Sequence, residues 1–257
     1  MATSPKTFVW YELMTTDVDA AEAFYRAVVG WTPQKWGQPD MGYTVMKIGE
    51  TAVAGLMPLP AQAREAGRRP GWVGYIGTDD VDASTDRVRQ AGGTVHRAPA
   101  DIPDVGRFSV VADPQGAIFM LFQPSGGGDN SPAPAGPLGH VGWHELYAAD
   151  WVSAFDFYAG QFGWTKGDII DMGPMGTYQL FAAGGDPIGG MMNKPDMIPS
   201  PAWLYYFNVA AADAAAARLS DQGGQVLNGP HQVPGGSWIL QCLDPQGAVF
   251  ALVAAKR

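Results

Sequence analysis

The chain has 257 residues, of which 46% are hydrophobic and 16% charged, and its formal net charge is −9. A chain of this length and composition buries a sizeable core and suits one large or two ordinary domains. Its acidic balance argues against nucleic acid and anionic membranes as partners, which leaves a small, largely neutral ligand or another protein.

Alternating and helical spacings predict the elements of the first half in chain order. A strand at Phe8–Leu13 leads into a helix that Thr16 or Asp17 caps and that Gly30 ends. Two strands follow, at Tyr43–Ile48 and Ala52–Pro58. The segment therefore alternates one helix with several strands.

A second round of the same kind begins at "WVGYIGTDD". It predicts a strand, a helix over Asp80–Ala91 and two strands at Gly106–Ala112 and Ala117–Phe122, with a further strand near Val95. The pattern thus gives two β-α-β-β-β units in this half and an α+β fold class.

The second half of the chain repeats the motifs of the first. "WYELMTTDVDAAEAFYRAVVGW" at Trp10–Trp31 returns as "WHELYAADWVSAFDFYAGQFGW" at Trp143–Trp164, and "DPQGA" begins at both Asp113 and Asp244. The repeat predicts two similar modules, residues 5–124 and 138–255, joined by a Gly/Pro/Ser linker at 125–137. Packed together they would form an internal pseudo-dimer, in a protein that is a monomer or a homodimer.

The expected location is the cytoplasm. No apolar run reaches the roughly 18 residues of a membrane helix, and the start "MATSPKTF" lacks the apolar centre of a signal peptide. The single cysteine, Cys242, excludes an internal disulfide and is expected to be a buried strand residue.

These repeated motifs resemble the vicinal oxygen chelate superfamily, which includes glyoxalase I, extradiol dioxygenases and bleomycin-resistance proteins. The resemblance rests on the capped "AAEAFYRAVVGW" helix, the Gly-Gly helix ends and the closing "DPQGAIFML" and "DPQGAVFAL" strands. It implies paired β-α-β-β-β units that curl into open, ligand-holding cups. It does not fix the function, because members of this superfamily differ in chemistry.

Metal-using members of the superfamily place His, Glu or Gln at four strand positions, since a divalent ion needs converging nitrogen and oxygen donors. Carried onto this chain, the resemblance puts these positions at Trp10, Gly55, Val73 and Met120, and at Trp143, Gly190, Leu204 and Ala251. None of these side chains is a competent ligand, so we expect no metal and no other cofactor.

The four histidines do not replace the missing ligands in this interpretation. His144 follows Trp143, so on a strand it should point away from the cup that Trp143 enters. His140 precedes that strand, and His96 and His231 lie near strand ends or loops.

Alternation along the strands predicts a mostly apolar cup lining with a few polar groups, as in small-molecule pockets. The expected ligand-binding residues are Trp10, Met57, Tyr75, Met120, Phe122, Trp143, Met192 and Tyr206. The same pattern also suits a plain core, and one cup could be open while the other is filled.

Glu12 and Glu145 follow the two tryptophans by two residues and should enter the same apolar cups. A carboxylate there is a candidate catalytic base or ligand anchor; alternatively, it is tied to backbone amides or to a hydroxyl such as that of Tyr75 or Tyr206. Tyr43 and Tyr178 occupy matching places and are further candidates.

Two long segments between strands are candidates for controlling access: Leu59–Gly71, which carries Arg64, Arg68 and Arg69, and Asn193–Ala202. The three arginines could receive an anionic group or could simply be solvated.

Three functions therefore remain open. The first is metal-independent binding of a small aromatic or amphipathic molecule, for sequestration or acid-base chemistry. The second is a metal-dependent glyoxalase-type lyase or dioxygenase, and the third is a non-catalytic scaffold with filled cups.

Overall fold

The computed structural model describes residues 6–37, 42–125 and 136–257. Most of the predicted linker, residues 126–135, lies outside this part of the chain. Within the described residues, no helix combines the length and the apolar character needed to cross a membrane.

The described strands form two eight-stranded mixed sheets. The first sheet has the order β2-β3-β4-β1-β5-β8-β7-β6. Its strands are β1 Phe8–Thr15, β2 Thr32–Trp36, β3 Tyr43–Ile48, β4 Thr51–Pro58, β5 Gly71–Gly77, β6 Thr94–Ile102, β7 Gly106–Ala112 and β8 Ile118–Pro124. β1 pairs with β4 and β5 with β8 in parallel, and the hairpin neighbours are antiparallel.

The second sheet repeats this order as β10-β11-β12-β9-β13-β16-β15-β14. Its strands are β9 Val141–Ala148, β10 Thr165–Asp171, β11 Thr177–Ala182, β12 Pro187–Asn193, β13 Ala202–Val209, β14 Gln225–Gln232, β15 Trp238–Leu243 and β16 Val249–Ala254. Neither sheet closes into a barrel, because its first and last strands do not pair. The α+β class and the repeated β-α-β-β-β units are therefore confirmed.

Two helices of the first half begin where the sequence places a cap. Asp17 accepts a hydrogen bond from the amide of Ala20 at 2.9 Å, and Asp80 accepts one from Ala83 at 2.9 Å. The helices are α1 Val18–Val28, α2 Ala61–Glu65, α3 Val81–Gln90, α4 Trp151–Phe162 and α5 Ala212–Asp221, with a 3-10 turn at Gly173–Met175. Gly30 and Gly92 follow α1 and α3 with φ of 93° and 87°, as expected for residues that end helices.

Strand β2 was not predicted from the sequence, and β6 was predicted only as a strand near Val95. Both are edge strands with mostly exposed side chains, and neither shows the apolar alternation by which a strand is recognised. Cys242 lies buried on β15 as expected, and burial raises the pKa of its thiol to about 12.

Contacts group the described residues into two compact units. The first contains residues 6–9, 74–125 and 144–203, and the second contains residues 10–37, 42–73, 136–143 and 204–257. Each unit thus takes one part from each predicted module. The predicted module boundaries remain a prediction.

In the second unit, the repeated motifs build one buried network. Tyr25, from the "FY" pair, donates its hydroxyl to Asp244 of the second "DPQG" at 3.1 Å, and Trp72 donates to the same hydroxyl at 2.9 Å. Asp244 also accepts the amides of Gln246 and Ala248. Burial raises the pKa of the Asp244 carboxyl.

The first unit builds the same network from the other copies of the motifs. Tyr158 donates to Asp113 at 3.1 Å, and Trp203 donates to the Tyr158 hydroxyl at 3.0 Å. The amides of Gln115 and Ala117 complete the shell of Asp113, whose pKa burial again raises. The "FY" and "DPQG" repeats are therefore explained by packing, because each pair joins two distant parts of the chain.

Candidate functional site

The candidate site lies in the second unit, where β1, β3 and β4 run side by side. β1 and β4 pair with Glu12 opposite Gly55, and β3 pairs with β4 with Val45 opposite Gly55. Tyr43 lies two residues before Val45, so it shares that face of the sheet. We call this face, which carries Glu12 and Tyr43, the cup face of the first sheet.

Three side chains meet here through the hydroxyl of Tyr43. The indole Nε1 of Trp10 donates to this hydroxyl at 3.1 Å, and the hydroxyl is hydrogen-bonded to the carboxylate of Glu12. Because the carboxylate is an acceptor, Tyr43 is the donor in that bond. We refer to Trp10, Tyr43 and Glu12 as the carboxylate set.

The electrostatics of the set keep Tyr43 protonated. Burial raises the pKa of the Tyr43 hydroxyl well above its ordinary value, and the negative charge of Glu12 raises it further. Glu12 itself is only 5% exposed. A phenol in this position is therefore a fixed hydrogen-bond donor that holds the orientation of the carboxylate.

Gly55 is required for this arrangement. A Cβ atom at residue 55 would lie 1.9 Å from the Tyr43 hydroxyl oxygen and 2.5 Å from Cζ. Real side chains do not tolerate such contacts, so the tyrosine occupies the space that a side chain at residue 55 would fill. A glycine on a strand interior here marks a close approach by a neighbouring group.

Part of this arrangement recurs in the first unit. Glu145 is buried and lies opposite Gly190 on the paired strands β9 and β12. A Cβ atom at Gly190 would lie 2.0 Å from Cε1 and 2.2 Å from Cζ of Tyr178. A tyrosine therefore covers the glycine in both repeats.

The residues of the site do not fit a divalent metal ion. Two of the positions that the resemblance assigns to ligands, Trp10 and Gly55, offer an indole and no side chain, and the space over Gly55 belongs to Tyr43. Glu12 is one carboxylate, whereas a metal in such a site needs three or four converging donors. Among the described residues, no group of three His, Cys, Asp or Glu side chains is arranged to hold a metal.

The expected ligand-binding residues divide by accessibility. Trp10, Met57, Phe122 and Trp143 are partly exposed, whereas Tyr75, Met120, Met192 and Tyr206 are buried. A ligand could contact the first four directly. The buried four could take part only if their neighbours moved.

A polar chain in the second unit was not predicted. Gln241 donates to the Tyr206 hydroxyl at 3.3 Å, Asn228 donates to Gln241 at 3.4 Å, and Nε2 of His231 lies 2.8 Å from the side-chain oxygen of Asn228. The one sequence signal for this polar chain was Gln241, which interrupts the apolar run "WILQCL". The two bulges of β14 next to Asn228 could not be anticipated from sequence.

Two of the histidines, His144 and His231, have side-chain partners other than a metal. His144 is stacked on Phe8 with 4.4 Å between ring centroids, and its Nδ1 lies 2.7 Å from the carbonyl oxygen of Ile188. It is buried on the face of β9 away from Glu145, in agreement with the predicted alternation. His140 is also buried, and His231 is exposed beside Asn228.

We expect His144 to make stability pH-dependent. Burial lowers its pKa from 6.5 to about 4, so it stays neutral in the fold while the unfolded chain takes up a proton below 6.5. The contribution is complete above pH 6.5 and is lost as the pH falls towards 4, by about 2 kcal/mol at pH 5. Urea unfolding of wild type and His144→Phe at pH 7 and pH 5 checks this, and an equal pH dependence in both proteins would contradict it.

Arg64, Arg68 and Arg69 are all exposed, with Arg64 on α2. They lie after β4, as expected for the loop, and the structure assigns them no further role.

Comparison with known proteins agrees with the fold. Residues 7–121 and 138–252 each match the family described as the glyoxalase/bleomycin resistance protein/dioxygenase superfamily. The chain belongs to this superfamily, and the resemblance seen in its motifs is confirmed.

Two relatives are similar over nearly their whole length. A Mycobacterium tuberculosis protein named "Putative glyoxylase CFP32" is 35% identical over 95% of this chain and 93% of that protein. The anthracycline biosynthesis protein DnrV of Streptomyces peucetius is 32% identical over 98% of this chain and 94% of that protein.

Solved structures with the same fold include a metal-bound glyoxalase and a dioxygenase. A Mn(II)-bound glyoxalase from Novosphingobium aromaticivorans matches with a TM-score of 0.66 and 18% identity, covering 98% of this chain and 82% of that one. The 2,3-dioxygenase LapB from Pseudomonas sp. KL28 matches with a TM-score of 0.67 and 14% identity, covering 98% and 93%. At these identities the likeness concerns the fold alone.

Proposed function

We propose that the chain is a metal-independent member of its superfamily that binds a small aromatic or amphipathic molecule at the carboxylate set. The observation that carries this proposal is the meeting of Trp10 and Glu12 at the hydroxyl of Tyr43, over Gly55. The partly exposed indole offers an aromatic surface, and the buried carboxylate offers an acceptor for a hydroxyl or another donor of the ligand once neighbouring side chains move aside.

The same groups suit acid-base chemistry. An ionised carboxylate oriented by a phenol can accept a proton from a bound molecule, and its low exposure limits competition from water. Tyr43 keeps its own proton throughout, because burial and the adjacent charge raise its pKa. If the protein only sequesters the molecule, it uses the same contacts without the proton transfer.

The names of the relatives support a small organic ligand. One is named for glyoxylase activity and another for anthracycline biosynthesis. An anthracycline is a fused-ring aromatic compound, which is the ligand class that an exposed indole favours.

Removing the carboxylate should weaken binding without unfolding the protein. With 2-naphthol as probe and titration calorimetry as readout, we expect Glu12→Gln to lower affinity about tenfold, as for the loss of a hydrogen bond to a charged group. Tyr43→Phe should also lower the affinity, because it removes the hydrogen bond that orients the carboxylate of Glu12. Glu50→Gln, at an exposed carboxylate of the same unit, is the matched control. Unchanged affinity in Glu12→Gln would reject the proposal.

A second candidate is a non-catalytic scaffold with filled cups. The burial of Tyr75, Met120, Met192 and Tyr206 favours it, because these side chains already have packed surroundings. It predicts no saturable binding of 2-naphthol by the wild-type protein, whereas the first candidate requires such binding.

A further inference from the structure

A second set of residues in the first unit distinguishes the two sheets. Strand pairing places Arg97, Val110, Met120 and Tyr75 in one row across β6, β7, β8 and β5. Phe108 and Phe122 are paired two residues further along, on the same face of the sheet. We call this surface the Arg97 wall.

The wall faces away from the helices. Phe119, one residue from Met120, packs against Phe157, Tyr158 and Phe162 of α4 on the opposite face of the sheet. Alternation therefore directs Met120 and Phe122 to the face of the sheet opposite α4. Phe122 makes an edge contact with Tyr75, with 6.2 Å between ring centroids.

Arg97 is held over this aromatic surface. Its guanidinium carbon lies 4.7 Å from the ring centroid of Phe108, a cation-π distance. The register of β6 shifts on both sides of Arg97, between Val95 and Arg97 and again between Arg97 and Ala100. Such bulges redirect a side chain, and they are frequent beside binding sites.

The guanidinium has no ion-pair partner among the described residues. Two other arginines of the same unit are paired with carboxylates, Arg107 with Asp82 and Asp101, and Arg89 with Asp86, while Arg87 donates to the Ser84 hydroxyl. In a chain whose net charge is −9, an exposed arginine fixed on a ring and left without a carboxylate is placed to receive an anion.

The equivalent surface of the second sheet has different chemistry. The corresponding row contains Asn228, Gln241, Ala251 and Tyr206, and β14 has the same two shifts of register around Asn228. The residue between the two bulges is therefore a neutral amide, Asn228, on β14 and a cation, Arg97, on β6.

We propose that the Arg97 wall binds an aromatic anion, with the guanidinium, seated on Phe108, pairing with a carboxylate or phenolate while the ring lies against the partly exposed Phe122. None of these residues belongs to the carboxylate set, so this subsite goes beyond the function proposed above. Its ligand class follows from one cation over an apolar aromatic surface.

Paired probes test the charge. We expect the wild type to bind 2-naphthoate more tightly than 2-naphthamide, and Arg97→Gln to lower the affinity for naphthoate about fivefold while changing that for naphthamide less than about twofold. Arg97→Lys should keep part of the preference, because it keeps the charge but not the planar contact. Arg89→Gln is the control, since Arg89 is paired elsewhere.

The outcomes separate this subsite from the carboxylate set. The Arg97 proposal is overturned if the wild type binds both probes equally, or if Arg97→Gln binds naphthoate as the wild type does. Either result overturns it independently of whether 2-naphthol binding depends on Glu12. Loss of the preference in Glu12→Gln together with an unchanged Arg97→Gln would also overturn it, because the anion would then be bound elsewhere.

Discussion

Replacing Asp113 or Asp244 with alanine is expected to lower the free energy of unfolding by about 4 kcal/mol. Each carboxylate accepts two backbone amides and one tyrosine hydroxyl inside a compact unit. Alanine leaves two buried donors without an acceptor, the tyrosine hydroxyl and the amide of Ala117 or Ala248, and each such donor costs about 1–3 kcal/mol. The third donor, the amide of Gln115 or Gln246, is only partly buried and adds less. Urea unfolding followed by tryptophan fluorescence measures the change.

Asparagine at the same positions is the matched control. One side-chain oxygen of each aspartate accepts both amides, so the amide oxygen of asparagine can replace it. Burial already penalises the ionised carboxyl, as the raised pKa of both residues shows. The other side-chain atom of asparagine is Nδ2, a donor, so the tyrosine hydroxyl loses its acceptor. We therefore expect Asp113→Asn and Asp244→Asn to cost about 1–2 kcal/mol, clearly less than alanine. An asparagine variant as unstable as alanine would mean that the charge, not the acceptor, holds the network.

The second large effect concerns Gly55. Gly55→Ala places a methyl group 1.9 Å from the present position of the Tyr43 hydroxyl oxygen, so the ring must move and its bond with Trp10 must break. We expect affinity for 2-naphthol to fall more than about tenfold, with a loss of stability of about 2 kcal/mol from overpacking.

Gly71→Ala provides the comparison for this substitution. A Cβ atom there meets nothing within 4 Å, and the backbone of Gly71 does not require glycine. The variant should bind 2-naphthol as the wild type does. If Gly55→Ala also bound normally, the position of Tyr43 would not matter for binding, and the carboxylate set could not be the site.

The regular elements were predictable where local signals exist. The caps at Asp17 and Asp80 and the strands Tyr43–Ile48 and Gly106–Ala112 agree with the structure, because capping and alternation act over a few residues. The edge strand β2 has mostly exposed side chains, so it carries no such signal.

The long-range contacts were not predictable from one sequence. Tyr25 and Asp244 are 219 positions apart, and no local pattern indicates that the first "FY" pair meets the second "DPQG". The sequence indicated only that the motifs return.

The candidate site was predicted in part. Glu12 and Trp10 were recognised from their repeat and alternation, and both join at one hydroxyl. The central place of Tyr43 depends on its approach to Gly55 across the strands, which sequence spacing does not reveal. A tyrosine that matches in both repeats, with a glycine at one predicted ligand position of each repeat, was the only hint.

The central claim is that the carboxylate set takes the place of a metal, and the metal content of the active protein tests it most directly. Protein produced in medium containing Mn, Fe, Ni and Zn would be analysed for these elements, and its affinity for 2-naphthol measured before and after treatment with a chelator. We predict well under one equivalent of any of these metals and the same affinity after the chelator. One equivalent of metal per chain, with binding lost on its removal, would contradict the account.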